Sequence, residues 1–212
     1  MIRIEEVQTS NWEGAFRGMR NPMNSWEKSD SEFFAGSDSI FIGENDLKLA
    51  CSLIKAGSSH RKFMRQIFVS VDITAPLYTW KEFDTYKVAT TSNSCSTMHK
   101  IMAKEFDLSD FSTDKMNAFA KESIQKTIKD LNSMRGDYMN YELPSMLKKN
   151  LWYSIIQLLP SSYNQKRTIT LDYETLLSMY FQRKDHKLDE WRELCEVIKN
   201  LPYMDKFIEA CN

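Results

Sequence analysis

The stretch from Ser58 to Met102 reads SSHRKFMRQIFVSVDITAPLYTWKEFDTYKVATTSNSCSTMHKIM. It opens on a basic run, His60, Arg61, Lys62 and Arg65. Ile67, Val69, Val71 and Ile73 then alternate with Phe68, Ser70, Asp72 and Thr74. A period of two predicts a strand with one buried face. Ala75-Pro76 ends it, because proline has no amide hydrogen for a ladder and disfavours helix in the residue before it. Leu77 to Tyr86 predicts a short aromatic helix. It leads into Thr90-Thr91-Ser92-Asn93-Ser94-Cys95-Ser96, read as a loop of small hydrogen-bonding side chains. Such a loop behind a strand and a helix suits phosphate or nucleobase edges. Its composition taken alone favours an ordinary polar connection whose side chains bond the neighbouring backbone.

Toward the N-terminus, Ile2 to Val7 alternates weakly as a first strand, and Ser10 or Asn11 caps a short helix through Arg20, stopped at Asn21-Pro22. Between Met23 and Gly43, Trp26, Phe33, Phe34 and Phe41 predict a packed loop. Asn45 is placed to cap a helix with Leu47, Ala50, Cys51 and Ile54 inward, ending at Ala56-Gly57.

Toward the C-terminus, Lys104 to Phe111 reads as irregular. Ser112 or Asp114 then starts the longest helix, with Met116, Phe119, Ala120, Ile124, Ile128, Leu131 and Met134 at helical spacing, a lysine-bearing solvated face and Gly136 as its end. A second helix spans Leu143 to Leu159 with Pro144 in its first turn. After a polar loop, Thr168 to Leu171 predicts a short strand. Asp172 caps a helix from Tyr173 to Phe181, and further helices follow from Leu188 to Leu201 and from Met204 to Cys211. Strands scattered among longer helices, without repeats or a flexible linker, predict one α+β domain over residues 1–212.

The 212 residues suffice to bury a core without staples. A formal charge of −1 removes a global electrostatic case for nucleic-acid binding, leaving local basic clusters. No apolar run reaches the ~20 residues of a membrane span, and the N-terminus lacks a signal-peptide core, which points to the cytosol. Cys51, Cys95, Cys195 and Cys211 are scattered and read as free thiols, and with three histidines they make no metal-ligand spacing, so no metal is expected.

Residues 159–191, LPSSYNQKRTITLDYETLLSMYFQRKDHKLDEW, resemble the C-terminal signature of the flavin-dependent thymidylate synthases, the thymidylate synthase-complementing proteins. Leu159-Pro160, Thr170, Leu176 and Arg183 fall in register, and His186 precedes a shortened Asp189-Glu190-Trp191. The opening stretch resembles the same family. Its His-bearing segment lies over Gly57 to Phe63 and its strand ending in Ala-Pro over Ile67 to Pro76. Its motif R-H-R-x-x-S-x-N-E-x-S-x-R-Y lies within Leu77 to His99. Thr85-Tyr86-Lys87 stands where R-H-R belongs, and Thr90 stands for the first serine. After one inserted residue near Ser92, Asn93 and Ser96 match the asparagine and second serine. Ser94 replaces the glutamate, Met98 the second arginine and His99 the tyrosine.

The resemblance implies an α+β homotetramer that binds FAD at subunit interfaces. It also implies methylene transfer from methylenetetrahydrofolate to dUMP, with NADPH as reductant. Carried over residue by residue, Lys87 and Arg183 would meet nucleotide phosphate, with Thr90, Asn93 and Ser96 toward the substrate and Ser96 and Arg183 in the catalytic role. His60, Arg61, Lys87, Asn93 and His186 would contact the cofactor. The basic group Arg61, Lys62 and Arg65 reads either as a phosphate-facing patch or as a rim. Lysine supplies a point charge without the fork that arginine offers to phosphate. The thinned motif also implies two alternatives: a degenerate nucleotide-binding or oligomeric protein of the same fold, or a flavoenzyme for another pyrimidine nucleotide. Asp172 reads as the cap of its helix, and Cys95 has no activating base beside it.

Overall fold

In the computed structural model, which describes residues 2–34 and 40–211, short 3-10 turns separate the following elements. They run in the order β1 (Arg3–Ser10), α1 (Trp12–Arg20), β2 (Glu32–Phe33), β3 (Ile40–Phe41), α2 (Glu44–Lys55), β4 (Phe68–Pro76) and α3 (Leu77–Phe83). Then follow β5 (Thr90–Ser94), α4 (Ala118–Met139), α5 (Ser145–Leu158), β6 (Asn164–Asp172), α6 (Tyr173–Arg183), α7 (Asp189–Lys199) and α8 (Met204–Glu209). This is a helix-rich α+β fold. The chain divides into two compact units. The first holds Ile4–Ile73, Thr85–Asn93 and the chain from Thr168 onward; the second holds Thr74–Asp84, Ser94–Arg167 and the residues before Ile4.

The four-stranded sheet has the strand order β1-β4-β6-β5. The alternation that predicts β4 is its burial pattern: Val69, Val71 and Ile73 are buried while Phe68 is 41% exposed. Aromatic rings fill the core beside the sheet. Trp12 meets Tyr173 edge-on at 5.0 Å, Phe16 meets Phe63 at 5.7 Å, and Phe207 lies 6.1 Å from Phe63 and 6.3 Å from Tyr173. Such T-shaped pairs put a ring's positive edge on its neighbour's negative face. Tyr173, fully buried, satisfies its hydroxyl on the carbonyl of Pro202 at 3.2 Å.

In the second unit α4 and α5 pack together over Ile101, Met102, Phe106, Phe111, Ile124, Leu131 and Ile155. Asn132 ties the preceding irregular segment to α4 by bonding both the N–H and the C=O of Phe106 at 2.8 Å. Trp80 of α3 is buried, donates to the carbonyl of Gln165 at 2.9 Å and carries the Arg167 guanidinium over its ring at 4.3 Å.

Several boundaries depart from the sequence reading. Thr90–Ser94 is a strand at the edge of the sheet, not a loop. Edge pairing needs backbone groups and tolerates small polar side chains, so the hydrophobic alternation that marks β4 is missing there. β6 begins at Asn164, four residues before the expected strand, because Gln165 and Arg167 spend their polarity on the Cys95 carbonyl (2.8 Å) and Asp84 (2.6 Å). α4 starts after Asn117, whose side chain accepts from the N–H of Ala120 at 2.9 Å, and it runs through Gly136 to Met139. A glycine costs a helix only about 1 kcal/mol, too little to stop one of this length. α2 starts at Glu44. Its first amides, of Asn45 and Asp46, are satisfied by the Asp30 carboxylate at 2.9 and 3.1 Å rather than by Asn45. The approach is so close that a Cβ on Gly43 would sit 2.3 Å from the Asp30 carbonyl oxygen. Phe33 packs on Phe16 at 6.2 Å, but Trp26, Phe34 and Phe41 are half-exposed, so the segment is less packed than its aromatics suggest. The part of that expectation on residues 35–39 lies outside the described residues.

Candidate functional site

Along α6, Glu174, Ser178 and Gln182 recur every fourth residue and form a polar stripe on a helix whose Leu176, Leu177 and Met179 are buried. With Thr175 and Asp172 they make one wall of a groove of about 460 Å³ within the first unit. Arg65 and the segment Thr85–Ala89 make the rest. Asp172 fixes the base of that wall: its side chain accepts from the N–H of Thr175 at 2.7 Å and so caps α6. Ala89 holds the opposite segment with φ of 54°, a left-handed conformation that costs a residue with a Cβ about 1–2 kcal/mol.

The charges of the groove are arranged around Glu174. Its carboxylate, 12% exposed, takes Arg61 Nε on one oxygen at 3.0 Å and Arg65 Nε on the other. Arg65 also donates to the carbonyl of Ser58 at 3.2 Å and remains half-exposed. The hydrogen bond to Glu174, and then its charge, hold the Arg65 guanidinium above the usual arginine value. Lys87 is exposed and forms no ion pair among the described residues.

Behind the groove, Tyr86 donates its hydroxyl to Gln182 Oε1 at 2.9 Å and accepts from Arg183 Nε at 3.0 Å. The Arg183 guanidinium lies 4.6 Å from the Trp191 ring and 5.7 Å from that of Tyr86. His186 meets the same tryptophan edge-on at 6.2 Å, and its Nδ1 accepts from the N–H of Leu188 at 3.2 Å. An Nδ1 that accepts places the imidazole proton on Nε2.

The structure thus brings Arg183 and His186 together at Trp191, keeps Lys87 on the groove beside Tyr86, and links Arg61 to the groove through Glu174. His60 sits on an exposed turn after Gly57, its amide bonded to the Gly57 carbonyl at 3.0 Å. Thr90 and Asn93 lie on β5, where Thr90 Oγ1 donates to the Val88 carbonyl at 3.4 Å and Asn93 is exposed. Ser96 belongs to the second unit, and its hydroxyl oxygen accepts from the amides of Met98 (3.2 Å) and His99 (2.9 Å). With both lone pairs used, Ser96 retains only a proton to donate. The basic group after Ser58 is not an open patch, since two of its three cations converge on one carboxylate.

Sequence reasoning missed Glu174, Tyr86, Gln182 and Trp191. One signal was present: Glu174, Ser178 and Gln182 put a polar stripe at i, i+4 and i+8 on an otherwise apolar helix. Among the described residues no three His, Cys, Asp or Glu side chains cluster to hold a metal, and no helix is long and apolar enough to cross a membrane.

No protein-family model matches the chain, and no curated protein matches it in sequence. Solved structures match it over nearly its whole length. Flavin-dependent thymidylate synthase ThyX from Helicobacter pylori, complexed with FAD and dUMP, superposes with a TM-score of 0.66 at 16% identity, covering 98% of this chain and 100% of that one. A second structure of the same enzyme with FAD and dUMP gives 0.65 at 14% identity, covering 100% and 98%. The UMP/dUMP methylase PolB from Streptomyces cacaoi, bound with 5-Br dUMP, gives 0.62 at 13% identity, covering 99% and 94%. The chain has the fold of the flavin-dependent thymidylate synthases.

Proposed function

We propose that this chain binds a pyrimidine nucleotide and FAD and transfers a one-carbon unit to the pyrimidine, with dUMP as acceptor, methylenetetrahydrofolate as donor and NADPH as reductant. The observation that carries the reading is the match of the whole chain to three structures that hold dUMP or its bromo analogue, two of them with FAD. In this reading the protein is a cytoplasmic homotetramer with a single domain per chain.

The groove suits a nucleoside monophosphate. Lys87 supplies an uncommitted point charge for the phosphate, while Thr85, Thr175, Ser178 and Gln182 offer hydrogen-bonding groups to sugar and base. Thr90 and Asn93, on the strand that leaves the groove segment, present a hydroxyl and an amide, and an amide pairs with donor and acceptor atoms of a pyrimidine together. Arg183 is oriented by Tyr86 and Trp191. Ser96 is a hydrogen-bond donor in this role, not a nucleophile.

The diphosphate of FAD does not fit Arg61 and Arg65 as they stand, because the Glu174 carboxylate already occupies the Nε of both. That favours a second reading: a nucleotide-binding or oligomeric protein that keeps the fold without the flavin. The methylase with a UMP/dUMP substrate supports a third, a flavoenzyme for another pyrimidine nucleotide. A visible absorption spectrum of the purified protein, followed by FAD titration with and without dUMP, separates these. Flavin absorption, or quenching of FAD fluorescence, is expected. A colourless protein that leaves FAD fluorescence unchanged with and without dUMP refutes the first reading. Restored growth of a thymidine-requiring strain refutes the second, and parallel titration with deoxyuridylate and deoxycytidylate decides the third.

A further inference from the structure

Arg61, just before the 3-10 turn Lys62–Gln66, and Arg65 within it direct their Nε atoms at the two oxygens of a single carboxylate. Two guanidiniums on one carboxylate leave a surplus of positive charge. Each arginine spends only Nε on Glu174, whereas a fork that binds an oxyanion fully uses two N–H groups. The remaining contacts are weak: Arg61 Nη1 lies 4.0 Å from Cys211 Sγ, and Arg65 Nη2 donates to the Ser58 carbonyl at 3.2 Å. Arg65 is half-exposed and lines the groove, and Lys87 lines it too. The groove lining carries two cations, Arg65 and Lys87, and two carboxylates, Glu174 and the Asp172 that caps α6; Arg61, outside the lining, adds a third positive charge on Glu174. A carboxylate offers two oxygens to this pair. A phosphate offers at least three, carries more charge and matches the arginine fork.

We propose that Arg61 and Arg65 form an anion subsite for a phosphate or diphosphate group, that Glu174 is its internal occupant, and that a ligand phosphate enters by displacing this carboxylate. The first turn of α6 supports the occupied state, since a negative side chain is stabilised at a helix N-terminus. The subsite is therefore closed by default and admits a ligand only when its other contacts in the groove offset the loss of the Glu174 pairs. The inference stands whether or not the chain binds flavin, and its test uses no flavin.

The experiment is calorimetric titration of the full chain with inorganic pyrophosphate at fixed, low ionic strength. Glu174→Gln keeps the shape and removes the competing charge, so it is expected to bind pyrophosphate at least tenfold more tightly than the wild type. Adding Arg65→Ala to E174Q is expected to abolish that gain. Equal affinity in the wild type and E174Q overturns the proposal, and so does a gain that survives the loss of Arg65. Glu174→Asp, one methylene short of both guanidiniums, serves if E174Q does not fold; it is expected to show a smaller gain, and no gain overturns the proposal.

Discussion

Asp46 of α2 is fully buried and carries a dense polar network. One oxygen takes Arg20 Nε at 2.6 Å; the other accepts from Ser31 Oγ (2.6 Å), Ser29 Oγ (2.7 Å) and the N–H of Asp30 (3.3 Å). Arg20, only 4% exposed, also donates to the carbonyls of Ser25 (3.3 Å) and Lys28 (3.0 Å), so the pair ties the segment between α1 and β2 to both helices. Asp46→Asn conserves shape and leaves the guanidinium buried without its counter-charge. Breaking one side of such a pair costs about 3–5 kcal/mol. At about 2–4 °C per kcal/mol for a chain of this size, the melting temperature falls by on the order of 6–20 °C. Circular dichroism melts and urea titrations at pH 7 measure this. The pH dependence has a definite sign. Burial by itself raises the Asp46 carboxyl, but hydrogen bonds from Ser31, Ser29 and Arg20 and the arginine charge outweigh it and hold the group below the usual range. A carboxyl depressed in the fold contributes its full stability above the free value of about 3.9 and loses it as pH falls through the lower folded value. The gap between wild type and D46N is therefore wide at neutral pH and closes in acid. A loss under about 1 kcal/mol at pH 7, or a gap that widens in acid, refutes the assignment.

Lys87→Gln is expected to weaken dUMP binding about tenfold, near 1.4 kcal/mol, with an unchanged melting temperature, because the side chain is exposed and unpaired among the described residues. Calorimetry that finds equal affinity moves the nucleotide phosphate away from this lysine. The thiols are expected to separate by labelling rate: burial pushes Cys195 up to about 11, so its thiolate fraction at pH 8 is on the order of a thousandth, and it reacts only on unfolding, whereas exposed Cys95 reacts first. Peptide mass spectrometry after timed alkylation at pH 8 reads the order directly, and early labelling of Cys195 contradicts the packing of α7.

Elements whose pattern comes from burial were legible from the sequence. The alternation of β4, the stop at Pro76 and the Asp172 cap of α6 each follow from a local rule that the fold does not override. The edge strand β5 was not, because its pairing uses backbone groups that carry no sequence signature. Nor was the start of α2, whose amides are capped by Asp30, fourteen residues before Glu44 and outside any local capping pattern. Motif correspondence assigned Lys87 and Arg183 to the substrate and Lys87 and His186 to the cofactor, and the fold sets Arg183 and His186 on the same Trp191 ring. That correspondence had no access to the partner that each cation takes.

Partners decide what the cations of this chain can do. Arg20 is spent on Asp46, Arg167 on Asp84 and the Trp80 ring, Arg183 on Tyr86 and Trp191, and Arg61 with Arg65 on Glu174. Arginine suits each of these places because its planar charge stacks on rings and accepts burial better than an ammonium does. The consequence for ligand binding is a hierarchy. Lys87 can take a phosphate without breaking an ion pair, whereas any anion at Arg61 and Arg65 must compete with a carboxylate already fixed at a helix N-terminus. A nucleoside monophosphate meets the first condition alone and a dinucleotide must meet both. On the proposed function, the mononucleotide is therefore expected to bind first, with the larger partner dependent on the release of Glu174.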